Sequence, residues 1–161
     1  MAVGDLIGAA VGVILLVIVA YLLVGAVVST AQIVTSAQKS ATLLEENQLK
    51  TDFSITNATM TGTSDFMCTI DNTGNVPISD FTHMDVIVYD SNSNTYNLYP
   101  YSTSSQSTGT WTIVSQGNDV IHGSELYPGN AYIIEVMTTG TSPYWFQITT
   151  ANGVYASAFL S

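Results

Sequence analysis

Arginine is absent from this 161-residue chain, and lysine occurs twice, at Lys39 and Lys50. Against twelve acidic residues this leaves a formal net charge of −10. No basic residue follows Lys50, so nearly all of that charge falls on the part of the chain beyond it. Phosphate contacts need Lys and Arg, so nucleic-acid binding is excluded as a function class. An acidic surface repels anionic surfaces and suits a partner that is cationic or cation-bridged.

Cysteine is as scarce. Cys68 stands alone and cannot close an intrachain disulfide, which argues against a disulfide-stapled domain but not against an extracellular one. Its apolar and Thr neighbours mark it as an inert residue of a strand interior. The signatures of catalysis are missing too: no nucleophile elbow, P-loop, dinucleotide fingerprint or HExxH occurs. The two histidines, His83 and His122, lie far apart in sequence, and a Ser/His/Asp triad could be assembled on paper from any chain this rich in Ser. No enzyme, catalytic residue, cofactor or metal site is expected. No basic residue precedes the first apolar run, and that run is too long for a secretory signal. Two readings of the start remain: an uncleaved anchor, or a mature N-terminus from which a short basic leader has been removed.

What is present begins with that run, Leu6 to Val28, which holds no charged residue. Roughly 20 apolar residues cross a bilayer core of about 30 Å. A domain of the remaining length cannot bury a helix that is apolar all round, so the helix needs lipid or copies of itself. Beyond it, Val34, Ala37, Ala41 and Leu44 recur at helical spacing, and no Pro or Gly occurs from Ala26 to Lys50. One helix is predicted from about Val3 to about Leu49, roughly 70 Å long. Asp5 falls in its first turn, where a carboxylate suits the helix dipole. Gly4, Gly8 and Gly12 are four apart, a spacing that lets helix backbones approach closely, although glycine is also simply common in membrane spans. With Asp5, Leu15 and Leu22 these glycines are the candidate assembly residues of the helix.

From Thr51 the period changes to short β-branched and aromatic runs. These are Phe53–Met60, Phe66–Asp71, Met84–Tyr89, Tyr96–Tyr101, Trp111–Val114, Asp119–Ile121, Ala131–Met137, Tyr144–Thr149 and Val154–Leu160, broken by Gly, Asn, Ser or Pro. Residues 102–110 form a polar low-complexity loop. Seven to nine short strands predict an Ig-like all-β sandwich. The fold class is therefore α+β, with a hydrophobic helix over 1–50 and a β-sandwich over 51–161. Asp90, Asn92 and Asn94 place oxygens at alternate positions, as a calcium loop begins, but the Gly and the distal Glu of that loop are missing. A hairpin tip is the better reading. Asn57-Ala-Thr59 is the one N-glycosylation sequon. Some of the Tyr and Trp residues must fill the core; Tyr99 and Tyr101, beside the polar loop, are candidates for an adhesive patch, with core packing the more frequent explanation.

Three segments carry a resemblance: IDNTGNVPISDFTHMDVIVYD at 70–90, LYPGNAYIIEV at 126–136 and ANGVYASA at 151–158. With Asp5 just inside an N-terminal apolar helix, their order resembles the archaeal flagellin (archaellin) and type IV pilin-like superfamily, including the archaellar accessory proteins F and G. The basic leader of the filament-forming members is absent here. The resemblance implies, as first expectation, a structural subunit of a cell-surface filament for motility or adhesion. It would be membrane-inserted before assembly and polymerise with itself through the helix, Asp5 meeting a neighbour's terminal amine. The second expectation is a membrane-anchored accessory protein of stator type, whose β domain binds a surface-layer protein.

Overall fold

A computed structural model describes residues 2–103, 107–117 and 123–160. The chain divides into two compact units, Met1–Leu44 and Glu45–Ser161.

The first unit is helix throughout, the larger part of α1 (Ala2–Lys50). Every side chain from Val3 to Leu44 is exposed, and the helix is long and apolar enough to cross a membrane. Its threonine hydroxyls are satisfied locally. Thr30, Thr35 and Thr42 donate to the carbonyls of Ala26, Ala31 and Gln38 at 2.9, 2.8 and 3.0 Å, so each can enter an apolar environment without an orphan donor.

The second unit begins with the last turn of α1 and continues as two antiparallel sheets. Along the chain the strands are β1 (Phe53–Met60), β2 (Phe66–Asn72), β3 (Asp85–Asp90), β4 (Thr95–Tyr99), β5 (Thr110–Ser115), β6 (Ala131–Met137), β7 (Pro143–Thr149) and β8 (Tyr155–Phe159). One sheet has the order β1-β2-β6-β5 and the other β4-β3-β7-β8. This is the expected α+β architecture, a long apolar helix followed by an Ig-like sandwich. The expected strand Asp119–Ile121, His122 and the middle of the polar loop lie outside the described residues.

Period-2 alternation supplies the core. Phe66, Cys68 and Ile70 of β2 and Tyr132, Ile134 and Val136 of β6 face Val86 and Val88 of β3 and Phe146 and Ile148 of β7, all at most 2% exposed. Rings of Phe66 and Phe146 meet across the two sheets at 4.7 Å. Strand β4 stops at Tyr99, two residues before its expected end, because Pro100 cannot donate to the ladder. Tyr101 survives as an isolated bridge to Trp111.

The last helical turn is tied to the sandwich by its own polar groups. Gln48 Nε2 donates to the Asn152 carbonyl at 2.8 Å, and Asn152 Nδ2 donates to Thr51 Oγ1 at 2.7 Å. The amide of Asn75 donates to the Lys50 carbonyl at 2.8 Å, satisfying one of the orphan acceptors of a helix end. Gly74 is required there, because a Cβ would stand 2.5 Å from the Asp52 nitrogen and 2.6 Å from the Lys50 oxygen.

Candidate functional site

The three resemblance segments fold into turns, and two of them meet at Asn72. This residue is 2% exposed. Its Nδ2 donates to the carbonyls of Leu126 and Val76 at 2.7 and 2.9 Å, and its Oδ1 accepts from the Gly74 amide at 3.0 Å. Tyr127 to Asn130 make the tight turn that Pro128 and Gly129 predict, with Gly129 at φ 80° and the Asn130 amide donating to the Tyr127 carbonyl. In the third segment Gly153, at φ 85°, turns β7 into β8. The work of these motifs is therefore to lock loops.

Asp90 to Asn94 form the hairpin between β3 and β4, and the carboxylate is fully engaged. Oδ1 accepts from the amides of Asn92 and Ser93 at 2.9 Å each, and Oδ2 from those of Thr141 and Ser142 at 2.7 and 3.0 Å. These bonds, the Ser142 amide foremost and then Ser93, hold the Asp90 carboxyl down to about 2. A cation would have to displace backbone donors, so the oxygens at this tip serve the turn. Gly140 sits against the same carboxylate, where a Cβ would lie 2.1 Å from Oδ2.

Cys68 is buried, and desolvation pushes its thiol up to about 12, well away from reactive thiolate. His83 is exposed and pairs with Asp80 at 2.8 Å, which raises the imidazole above its ordinary range; the Asp80 carboxyl is lowered by the Thr82 hydroxyl first and by His83 next. Asn57 is exposed on the edge strand β1, at φ 51°, where the register with β2 shifts between Thr56 and Thr59. In the helix, a Cβ placed on Gly4, Gly8 or Gly12 would meet nothing within 4 Å beyond the helix's own backbone, and Leu15 and Leu22 are 56% and 64% exposed. Asp5 stands in the first turn, as its position implied.

Tyr99 and Tyr101 are not an adhesive patch. Tyr99 is 2% exposed, and Tyr101 packs on Phe81 and Trp111 with centroids 6.1 and 4.7 Å apart. Core packing, the alternative weighed for them, holds. The exposed aromatic surface is elsewhere, on the outer face of the β4-β3-β7-β8 sheet. Register aligns Tyr96 with Tyr89, Tyr89 with Trp145, and Trp145 with Phe159, one aromatic residue on each of four strands. Tyr96 and Phe159 are 68% and 64% exposed. Tyr144 extends the row, with its ring 5.4 Å from that of Phe159. Each strand shows the alternation that could have flagged its own ring; the alignment depends on register, which one strand's sequence does not carry.

No family model matches the sequence, and no curated protein matches it. Solved structures do match. The archaellum periplasmic stator protein FlaG from Sulfolobus acidocaldarius is similar with a TM-score of 0.53 and 23% identity, over 68% of this chain and 98% of that one. A chain of the FlaF and FlaG stator complex from the same organism gives a TM-score of 0.49 and 22% identity, over 66% of this chain and 86% of that one. Over the matched part, the fold of this chain is thus similar to that of FlaG.

Proposed function

We propose that this chain is a membrane-anchored archaellar accessory protein of stator type, with α1 as the span and the β domain outside the membrane. The observation that carries the proposal is the joining of two parts. A helix apolar enough to span, with every described side chain from Val3 to Leu44 unburied, precedes a domain whose fold is that of an archaellum periplasmic stator protein. Of the two expectations raised by the sequence, the comparison favours the accessory protein; nothing in it supports a filament subunit built of copies of this chain. The reading assigns the chain binding and anchoring and no catalysis. A surface-layer protein is the partner class it implies, alongside other archaellar components.

The span follows from physical need. An apolar helix outside any core needs lipid or helical neighbours, and on this reading lipid surrounds it; no Lys or Arg interrupts it before Lys39. In this topology the Asn57 sequon stands on the outer side of the membrane and is the modification site of the domain.

Shearing cells and separating filaments from membranes tests the reading. The chain is expected in the membrane fraction, with residues 51–161 open to protease added outside the cell. Its deletion is expected to abolish swimming while filament subunits are still made. Recovery of the chain as the repeated subunit of sheared filaments would overturn the proposal in favour of the pilin-like alternative. Mass measurement of the purified protein tests the sequon: a glycan mass is expected, and Asn57→Gln removes it.

A further inference from the structure

The outer face of the β4-β3-β7-β8 sheet takes no part in the core between the two sheets. Tyr96, Tyr89, Trp145 and Phe159 run across all four strands, which at the usual strand spacing of about 4.8 Å is a row roughly 14 Å long. The rings are not a flat shelf. Tyr89 and Tyr96 are tilted by 42° at 4.9 Å, and Tyr96 meets Trp145 edge-on at 6.2 Å and 82°. With Tyr144 they wall a groove of about 310 Å³. The adjacent row is Leu98, Ile87, Gln147 and Ser157. Contiguous exposed aromatic surface of this kind marks an interaction site.

Charge selects the occupant. The groove carries no charged residue, and the nearest on this face is Asp85, four residues along β3 from Tyr89. The domain has no basic residue after Lys50, so nothing in it would hold a sulfate, a phosphate or an anionic lipid headgroup. A second copy would set two strongly acidic domains face to face. What the groove does offer is ring faces together with neutral polar groups. Among the described residues the hydroxyls of Tyr96 and Tyr144 and the indole N–H of Trp145 have no protein partner. Tyr89 is held by its bond to Asn94 Oδ1 at 2.9 Å, which fixes one wall.

We infer that this groove binds an uncharged glycan chain, with sugar C–H faces stacked on Trp145 and Tyr96 and sugar hydroxyls meeting the free Tyr and Trp donors. The negative face of an aromatic ring attracts the weakly positive C–H groups of a pyranose, and the net negative charge of the domain, with no Lys or Arg after Lys50, discriminates against acidic sugars. This does not depend on the stator reading, because binding is measured on the purified chain with no motor present.

The test uses the full chain in lipid nanodiscs and follows tryptophan emission. Trp111 is 1% exposed, so a ligand-induced change reports Trp145. Mannotetraose, cellotetraose and chitotetraose are titrated, with heparin as the anionic comparison. At least one neutral tetrasaccharide is expected to shift the emission saturably, and heparin is expected to do nothing. Tyr96→Ala is expected to weaken that binding about tenfold while leaving the near-ultraviolet signal of Trp111 intact. Three results overturn the inference. One is no response to any of the neutral sugars. Another is quenching of Trp145 by brominated lipid in the disc, which would make this a membrane-docking face. The third is dimerisation of the chain that Trp145→Ala abolishes, which would make it a self-interface.

Discussion

At the scale of single residues, the polar side chains of the β domain hold backbone in place. Asp90 shows this best, since its carboxylate joins the β3–β4 hairpin to the loop before β7 through four backbone amides. Charge-assisted bonds of this kind are among the strongest in a protein. Asp90→Asn keeps the shape but turns an acceptor toward donors with a donor of its own, and is expected to lower unfolding stability by about 2–4 kcal/mol in urea titrations. The sign of the pH dependence follows from the depressed carboxyl. Its stabilisation is complete above the ordinary value of 3.8 and is lost as pH falls through about 2, so the gap between wild type and Asp90→Asn should close in acid. Asn72→Ala removes three bonds, but the Leu126 carbonyl keeps the Ile78 amide and the Gly74 amide keeps the Asp52 carbonyl, so the Val76 carbonyl alone loses its partner and the cost should be about 1–2 kcal/mol in the same assay. The chemical identity of these residues was plain in the sequence. Asp90 could be read there as the start of a cation loop or as a turn, because both use oxygens at alternate positions. The amides of Thr141 and Ser142, some fifty residues away, decide the matter.

At the scale of elements, the helix is the simplest case. Its extent, Ala2–Lys50, lies within one residue at each end of the Val3–Leu49 reading, because an uninterrupted apolar run followed by helix formers without Gly or Pro has one local solution. Leu15 stands near the middle of the apolar run. Leu15→Arg puts a charge there and is expected to cost about 2.5–3.5 kcal/mol of insertion, seen as loss of the carbonate-resistant membrane fraction. Leu22→Ile, a change within the apolar class, should leave that fraction unchanged. The strands were legible to within a residue or two, β1 and β6 to the residue. Strand β4 ends early, at Tyr99, because the next residue is Pro100. Which strands pair, and in what register, was not legible. Tyr99 and Tyr96 are three residues apart on one strand, yet one fills the core and the other stands 68% exposed. Alternation says that they face opposite ways; only the second sheet says which way is in.

At the scale of the whole molecule, the compact division falls at Leu44/Glu45, inside the helix. Gln48, Lys50 and Thr51 bond to loops of the sandwich, so the last helical turn folds with the strands. A fragment of residues 45–161 is therefore expected to fold cooperatively, whereas one beginning at Phe53 loses these bonds. The shorter fragment should unfold at a urea midpoint lower by an amount equivalent to about 2–4 kcal/mol.

The sequence by itself determined that this protein has an apolar helix needing lipid or helical neighbours, an acidic β domain, and no basic surface for nucleic acid. Those are properties of composition and local period, which a chain carries whether or not it is folded. Tertiary structure decided what no local pattern holds: that the motif residues lock turns, that Tyr99 and Tyr101 belong to the core, and that Tyr96, Tyr89, Trp145 and Phe159 come into one row. Each of these depends on strands far apart in sequence being set side by side. The energy that sets them there is the burial of a core shared by both sheets.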